Sequence, residues 1–407
     1  MAELAVFGLV LVVFGLVSKR LEGTPVNAPM VFAGAGLLVG AAGGDLGVTF
    51  GEHDENVEAT ETARHIAELG LVLLLFTGAA RIDVRVLRER SGLSLRLLTI
   101  GLPLSIALGS LLALGLLSDD LEVWEACLVG AILAPTDAAL GAVIVSSPKL
   151  PIRLRQALDV EAGLNDGLAV PFFTVFAVLA AESASGETSF LQVAFEKIVY
   201  GLLIGAAVGA AGGWLLRRAA RRGWTLGSFE QLAALALALL AWASAEEVGG
   251  SGLVAAFIAG LAFGISEREL APKAIAFSED LGQLLSLLVF FALGVIAVEV
   301  LPQATWQMAL YAALSLTVVR LLPVAVSLLG TGLDARTVAF LGWFGPRGLA
   351  SILLALILLV EYPDVPGGVT VFVVVAVTVL ASILLHGATA APLTDRWARL
   401  STAAGRR

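Results

Sequence analysis

The sequence predicts an all-α polytopic membrane protein of about 13 transmembrane helices, on three observations. First, 58 % of the 407 residues are hydrophobic and only 14 % charged, with a mean hydropathy of +0.93. A soluble domain has roughly 45–50 % apolar and about 25 % charged residues. The excess runs along the whole chain and excludes a water-soluble globule, a disordered chain and a nucleic-acid binder. Second, the apolar residues gather into thirteen runs. At about 20 residues per span, roughly 260 residues lie in the membrane, and no soluble domain of ordinary size fits in the rest. Third, the connections between runs alternate in charge.

The runs fall near 3–17, 28–44, 66–80, 98–117, 125–147, 157–181, 191–216, 229–247, 252–266, 279–299, 305–329, 336–360 and 367–388, with the weakest signal at 252–266. The first is no cleavable signal: its basic pair, Lys19 and Arg20, follows the apolar stretch instead of preceding it. One set of connections is basic: Lys19 and Arg20; Arg81, Arg85, Arg88, Arg90 and Arg96; Lys149, Arg153 and Arg155; Arg217, Arg218, Arg221 and Arg222; Arg268 and Lys273; Arg396, Arg399, Arg406 and Arg407. The other set is acidic or neutral: Asp45 through Glu61; Asp119, Asp120 and Glu122; Glu182 and Glu187; Glu246 and Glu247; Glu299; Glu361 and Asp364. The basic side is expected to be cytoplasmic, with the N-terminus outside and the C-terminus inside a plasma membrane. Gly205, Gly209 and Gly213 mark a helix-packing face on the seventh span. A single cysteine, Cys127, excludes an internal disulfide, and three scattered histidines make no zinc centre. No cofactor is expected.

Two spans carry breaks. The fifth reads ILAPTDAALG, with Pro135 beside Thr136 and Asp137, and the twelfth reads GWFGPRGLAS, with Pro346 and Arg347 between Gly345 and Gly348. Proline removes an N–H and clashes with the preceding turn. At membrane depth such backbone survives only where protein or a water-filled cavity covers it. If spans 1–6 and 8–13 are two repeats, each break falls in the fifth helix of its repeat, and the odd linking span inverts the second. The expected organisation is one membrane transport domain over 1–407: repeat one about 3–181, a linking helix about 191–216, repeat two about 229–388 and a short tail 389–407. Paired broken helices point to a transporter site at the midplane.

An ionisable group in mid-membrane costs several kcal/mol, roughly 2.5–3.5 on insertion scales, unless paired or wet. Five stand out: Asp137, Glu161, Asp166, Arg320 and Arg347. Asp159, close to a basic connection, reads as a helix-end residue. Glu161 needs a cation, and Arg320 is the deepest available, so these two are expected to form a structural pair. No spare cation then remains for Asp166, whose neighbours Asn165 and Thr136 are oxygen donors. A hydrated carboxylate among neutral oxygens suits a small alkali cation such as Na⁺, or a proton. Asp137 sits on the first break. Arg347 is placed either to balance carboxylate charge or to close off half-helix ends. His386 reads as a packing residue, and His53 and His65 as solvated.

APTDAALG, VEAGLNDG, GPRG and SILLHGATAAPL, in this order over about 250 residues, resemble the monovalent cation:proton antiporters, most nearly the NhaP-type and mammalian NHE sodium/proton exchangers. TPVNAPMVFAGAGLLVG extends the resemblance over nearly the whole chain. The resemblance implies thirteen helices, inverted six-helix repeats, crossed broken helices and a homodimer. It implies that Asp166 binds the ion and the proton, with Asn165 where the electrogenic branch has a second Asp. Thr136 and Asp137 would complete the site and Glu161 would pair with Arg320. One departure stands out: Ala162 occupies the position of a family Ser that helps hold the ion, so a water or another oxygen must substitute. A long regulatory tail like that of the animal exchangers is not expected, since the sequence ends soon after the thirteenth run.

One carboxylate shared between H⁺ and M⁺ gives exchange of one for the other, with no net charge moved. An aspartyl protease dyad of Asp137 and Asp166 is the alternative from another class, against which the chain has no GxGD. A passive channel is the third, against which it has no filter such as TVGYG.

Overall fold

A computed structural model describes residues 2–21, 24–44, 57–82, 92–145, 147, 149–185, 190–267 and 271–404. His53, Arg85, Arg88, Arg90, Glu187, Arg268, Arg406, Arg407 and most of the acidic connection from Asp45 lie outside them, as does the side chain of Glu182.

All regular structure among the described residues is helical. In chain order the helices are α1 (Ala2–Leu21), α2 (Ala28–Ala41), α3 (Val57–Ala80), α4 (Gly92–Leu116, with a π-helical turn at Leu97–Gly101), α5 (Val123–Ile132), α6 (Ala138–Val145), α7 (Ile152–Ser185) and α8 (Phe190–Arg221). Then follow α9 (Gly227–Glu247), α10 (Gly252–Ser266), the short α11 (Ala271–Ala274), α12 (Ala276–Val300), α13 (Trp306–Leu316), α14 (Val318–Ser327), α15 (Ala335–Trp343), α16 (Leu349–Glu361) and α17 (Gly368–Ala404).

Eight stretches are long and apolar enough to cross a membrane, and five shorter apolar helices accompany them. Together they coincide with the thirteen apolar runs. Their starts follow local chemistry. Asn27 accepts the Met30 N–H at 3.0 Å to open α2, and Asp334 accepts the Thr337 N–H at 3.2 Å to open α15. Each satisfies an N–H that the helix itself leaves unpaired.

Three runs are interrupted. Residues 133–137 separate α5 from α6, and residues 344–348 separate α15 from α16. The run at 305–329 is also two helices, α13 and α14, which meet at Thr317 with φ −115° and ψ −85°. The last helix does not stop near 388. It continues to Ala404, where Trp397 lies 5.6 Å from the Phe340 ring and Asp395 pairs with Lys149 at 2.7 Å.

The helices pack as two bundles. One holds α4–α7 and α13–α17; the other holds α1–α3, α8–α10 and α12. Within the second bundle α2 packs on α12 and α3 packs on α10. These are the second helix of one repeat against the third helix of the other, twice over. A pseudo-two-fold axis relating inverted repeats produces this exchange. Gly205 and Gly209 bring α8 against the α10 backbone at Ala255 and Ala259, where any side chain would collide.

The bundles meet along α7 and where α16 packs on α3. Gly163 of α7 lies against Gly78 of α3, and Gly167 of α7 seats the Phe257 ring of α10. Arg320 to Glu161, Lys149 to Asp395 and Tyr311 to Gly109 all lie within the first bundle. Arg81 to Glu279 and Arg217 to Glu267 lie within the second.

Candidate functional site at the crossing of two broken helices

The two breaks touch through backbone. The Asp137 N–H donates to the Pro346 carbonyl at 2.7 Å. The Asp137 carboxylate then serves two helices at once: Oδ1 accepts the Leu140 N–H of α6 at 2.9 Å, and Oδ2 accepts the Leu349 N–H of α16 at 2.7 Å. Both are N-terminal ends, where unpaired N–H groups and the helix dipole favour negative charge.

Arg347 does the converse. Its fully buried guanidinium donates from Nη1 to the carbonyls of Ala134 (3.0 Å) and Pro135 (3.2 Å), just beyond the C-terminal end of α5. A cation is favoured there. Ser351 donates to the Ile132 carbonyl at 2.7 Å. Each break therefore leaves backbone groups that the other break satisfies, which hydrocarbon depth demands.

The glycines of GPRG have steric reasons. A Cβ on Gly345 would overlap the Arg320 side chain, and one on Gly348 would overlap the Asp137 carboxylate. Gly348→Ala is expected to destabilise the protein by about 1–3 kcal/mol, as overpacking does. It should also push Asp137 off the α16 N-terminus. A melting temperature equal to wild type in detergent would refute this.

Helix α7 brings the other acids to the crossing. Glu161 and Arg320, each 3 % exposed, form a bidentate pair at 2.5 and 2.9 Å. Asn165, 1 % exposed, donates from Nδ2 to Thr136 Oγ1 at 2.6 Å. Asn165 Oδ1 and Asp166 Oδ1 are buried and have no hydrogen-bond partner among the described residues.

A cavity of about 1270 Å³ leads to these groups. Thr136, Asp137 and Asp166 line it together with the charged Lys19, Arg81, Asp159 and Glu279. Lys19 and Arg81 belong to basic connections, and Asp159 follows another closely. Ala162 and Gly163 form the wall one turn from Asp166 and contribute no side-chain oxygen.

Ser382 and Glu125 were not legible in the sequence, whereas His386 takes the packing place expected of it. Ser382 Oγ accepts the Arg347 N–H at 2.7 Å and so fixes the second break. His386 lies against Ser382 through Nδ1 and within 3.0 Å of the Trp343 carbonyl through Nε2, a packing arrangement. Their i,i+4 spacing on an apolar helix was the only signal. Glu125, 3 % exposed, accepts the Gly367 N–H at 2.7 Å and ties the start of α5 to the turn before α17.

Comparison with known proteins gives the family. The chain is 29 % identical over 395 residues to a K⁺/H⁺ antiporter NhaP2 of Shewanella sp. (strain ANA-3), covering 94 % of this chain and 64 % of the relative. It is 29 % identical over 297 residues to a Na⁺/H⁺ antiporter of Schizosaccharomyces pombe, covering 64 % of this chain and 62 % of the relative. The chain thus spans less than two thirds of the length of these curated relatives. The fold matches the sodium proton antiporter MjNhaP1 of Methanocaldococcus jannaschii with a TM-score of 0.76 at 20 % identity, covering 98 % of this chain and 99 % of that one. The transmembrane sodium/hydrogen exchanger family matches residues 7–396, so this chain belongs to that family.

Proposed function

We propose that the protein exchanges a monovalent cation for a proton across the plasma membrane by alternating access around Asp166. The observation that carries this reading is a carboxylate lining a cavity, with a buried oxygen that no described residue satisfies. Such a group can hold a proton or a cation in turn, and the two compete. Low pH fills the site with protons; high pH starves the exchange of them. Thr136 and Asn165 offer neutral oxygens beside it, with water in place of a side-chain oxygen at Ala162. The family is one of transporters, and no enzymatic activity or cofactor is proposed.

Sodium is the first candidate cation. Potassium is a second reading, favoured by the K⁺/H⁺ antiporter of Shewanella to which the chain is similar, and lithium a third. The test is transport by the purified protein in proteoliposomes carrying a pH dye, with Na⁺, Li⁺ and K⁺ added in turn. No dye response to any of them would refute antiport. The positive-inside pattern supports a cytoplasmic mouth for the cavity, with the N-terminus outside and the C-terminus inside. A homodimer in membrane lipid is proposed with it.

The exchange is proposed to be electroneutral. Asn165 cannot titrate in the accessible range, Glu161 is held by Arg320, and Asp137 is held by the N-termini of α6 and α16. That leaves Asp166 as the one exchangeable charge. A second moving charge would couple at about 2.3 kcal/mol per 100 mV. Imposing a potential with K⁺ and valinomycin should leave the Na⁺-driven rate unchanged at fixed gradients. Transient currents on a solid-supported membrane that scale with turnover would show a second titrating acid, with Asp137 the first suspect.

A further inference from the structure

The cluster RRAARRGW at the end of α8 plays no part in the crossing. Its four arginines divide into two pairs. Arg217 bonds Glu267 at 2.6 Å and the Ser266 carbonyl at 2.5 Å, and Arg221 adds to the positive field at the same carboxylate. Arg218 in the last turn of α8 and Arg222 in the turn just after it are exposed and lie near indole rings instead. The Arg218 Cζ is 5.6 Å from the Trp214 ring and the Arg222 Cζ is 4.6 Å from the Trp224 ring. A guanidinium held over an aromatic face by cation–π attraction still has N–H donors to offer to phosphate oxygens. The nearby Glu230 carboxylate is engaged by the Thr225 hydroxyl at 2.5 Å.

The surroundings are apolar and exposed: Trp214 53 %, Leu215 57 %, Trp224 70 %, Leu226 69 % and Phe229 63 %. An aromatic and aliphatic surface of this kind facing outward at the end of a span belongs at the headgroup level of a bilayer. Upward along α8 the exposed Leu202 and Leu203 continue it into lipid. We infer that Arg218 and Arg222, each braced by its tryptophan, bind the phosphodiester headgroup of an anionic phospholipid in the leaflet at the basic end of the molecule. The assignment depends on the chain being membrane-embedded and is independent of which ion Asp166 carries.

The test uses the full chain, stripped of lipid in an uncharged detergent. Phosphatidylglycerol, phosphatidylcholine or inorganic phosphate is then added, and lipid retention is read by native mass spectrometry alongside the melting temperature. Phosphatidylglycerol should stay bound and raise the melting temperature, and added salt should weaken it. Phosphatidylcholine and phosphate should do neither. R218Q/R222Q should weaken retention roughly fivefold per charge, about 25-fold in all. W214L/W224L, with every charge in place, should weaken it by a smaller factor, and it provides the reading should the first variant fold poorly. Undiminished phosphatidylglycerol retention in either variant, or equal stabilisation by inorganic phosphate, would overturn the proposal.

Discussion

Asp166→Asn should abolish cation-driven proton movement and leave the fold intact. The amide has nearly the shape of the carboxylate but neither titrates nor carries charge. Dye response in proteoliposomes should fall to that of protein-free vesicles for every cation tested. Folding should survive because the buried Asp166 Oδ1 makes no hydrogen bond to a described residue. The substitution also removes a charge that is costly at this depth. A melting temperature at or above wild type is therefore expected. Exchange at the wild-type rate would show that the carrier group lies elsewhere.

The second large effect concerns Glu161 and Arg320. Glu161→Gln and Arg320→Gln should each destabilise the protein by about 3–5 kcal/mol, because each leaves a buried charge without its partner. Removing both should cost less than either single change. The remaining arginine in the first variant would sit beside Arg347, which is itself fully buried. In the second variant the remaining carboxylate would lie one turn from Asn165. Thermal melts of the three variants in detergent decide the matter. A double variant that melts below both singles would mean that the pair is not what holds these two charges.

The spans and both breaks were legible because each has a one-dimensional signature. Apolar runs of the right length mark helices in lipid, and Pro beside Gly or a polar residue marks a helix that cannot continue. Glu161 and Arg320 were legible as partners because only so many deep charges exist. What the sequence did not disclose is which backbone groups those breaks serve. The acceptors of Arg347 are the carbonyls of Ala134 and Pro135, and the donors to Asp137 are the amides of Leu140 and Leu349. Main-chain partners leave no trace in side-chain identity. The same holds for the α13–α14 interruption at Thr317, where the flanking residues stay apolar. The continuation of α17 to Ala404 depends on docking against Phe340 and Lys149, a tertiary contact that hydropathy does not report.

The seam between the two bundles bears on the alternating access proposed above, in which one bundle would slide past the other. Where α7 meets α3 and α10, glycine lies on glycine and a phenylalanine ring rests on glycine. Hydrogen bonds there would have to break and reform in every cycle, each worth about 0.5–1.5 kcal/mol. Smooth apolar faces have no registered partners to lose. Friction along such a seam comes from side-chain bulk, so turnover should respond to the volume at Gly163 and Gly167 more than to their polarity. The ring of Phe257 would act as the bearing on which the carboxylate-bearing bundle slides.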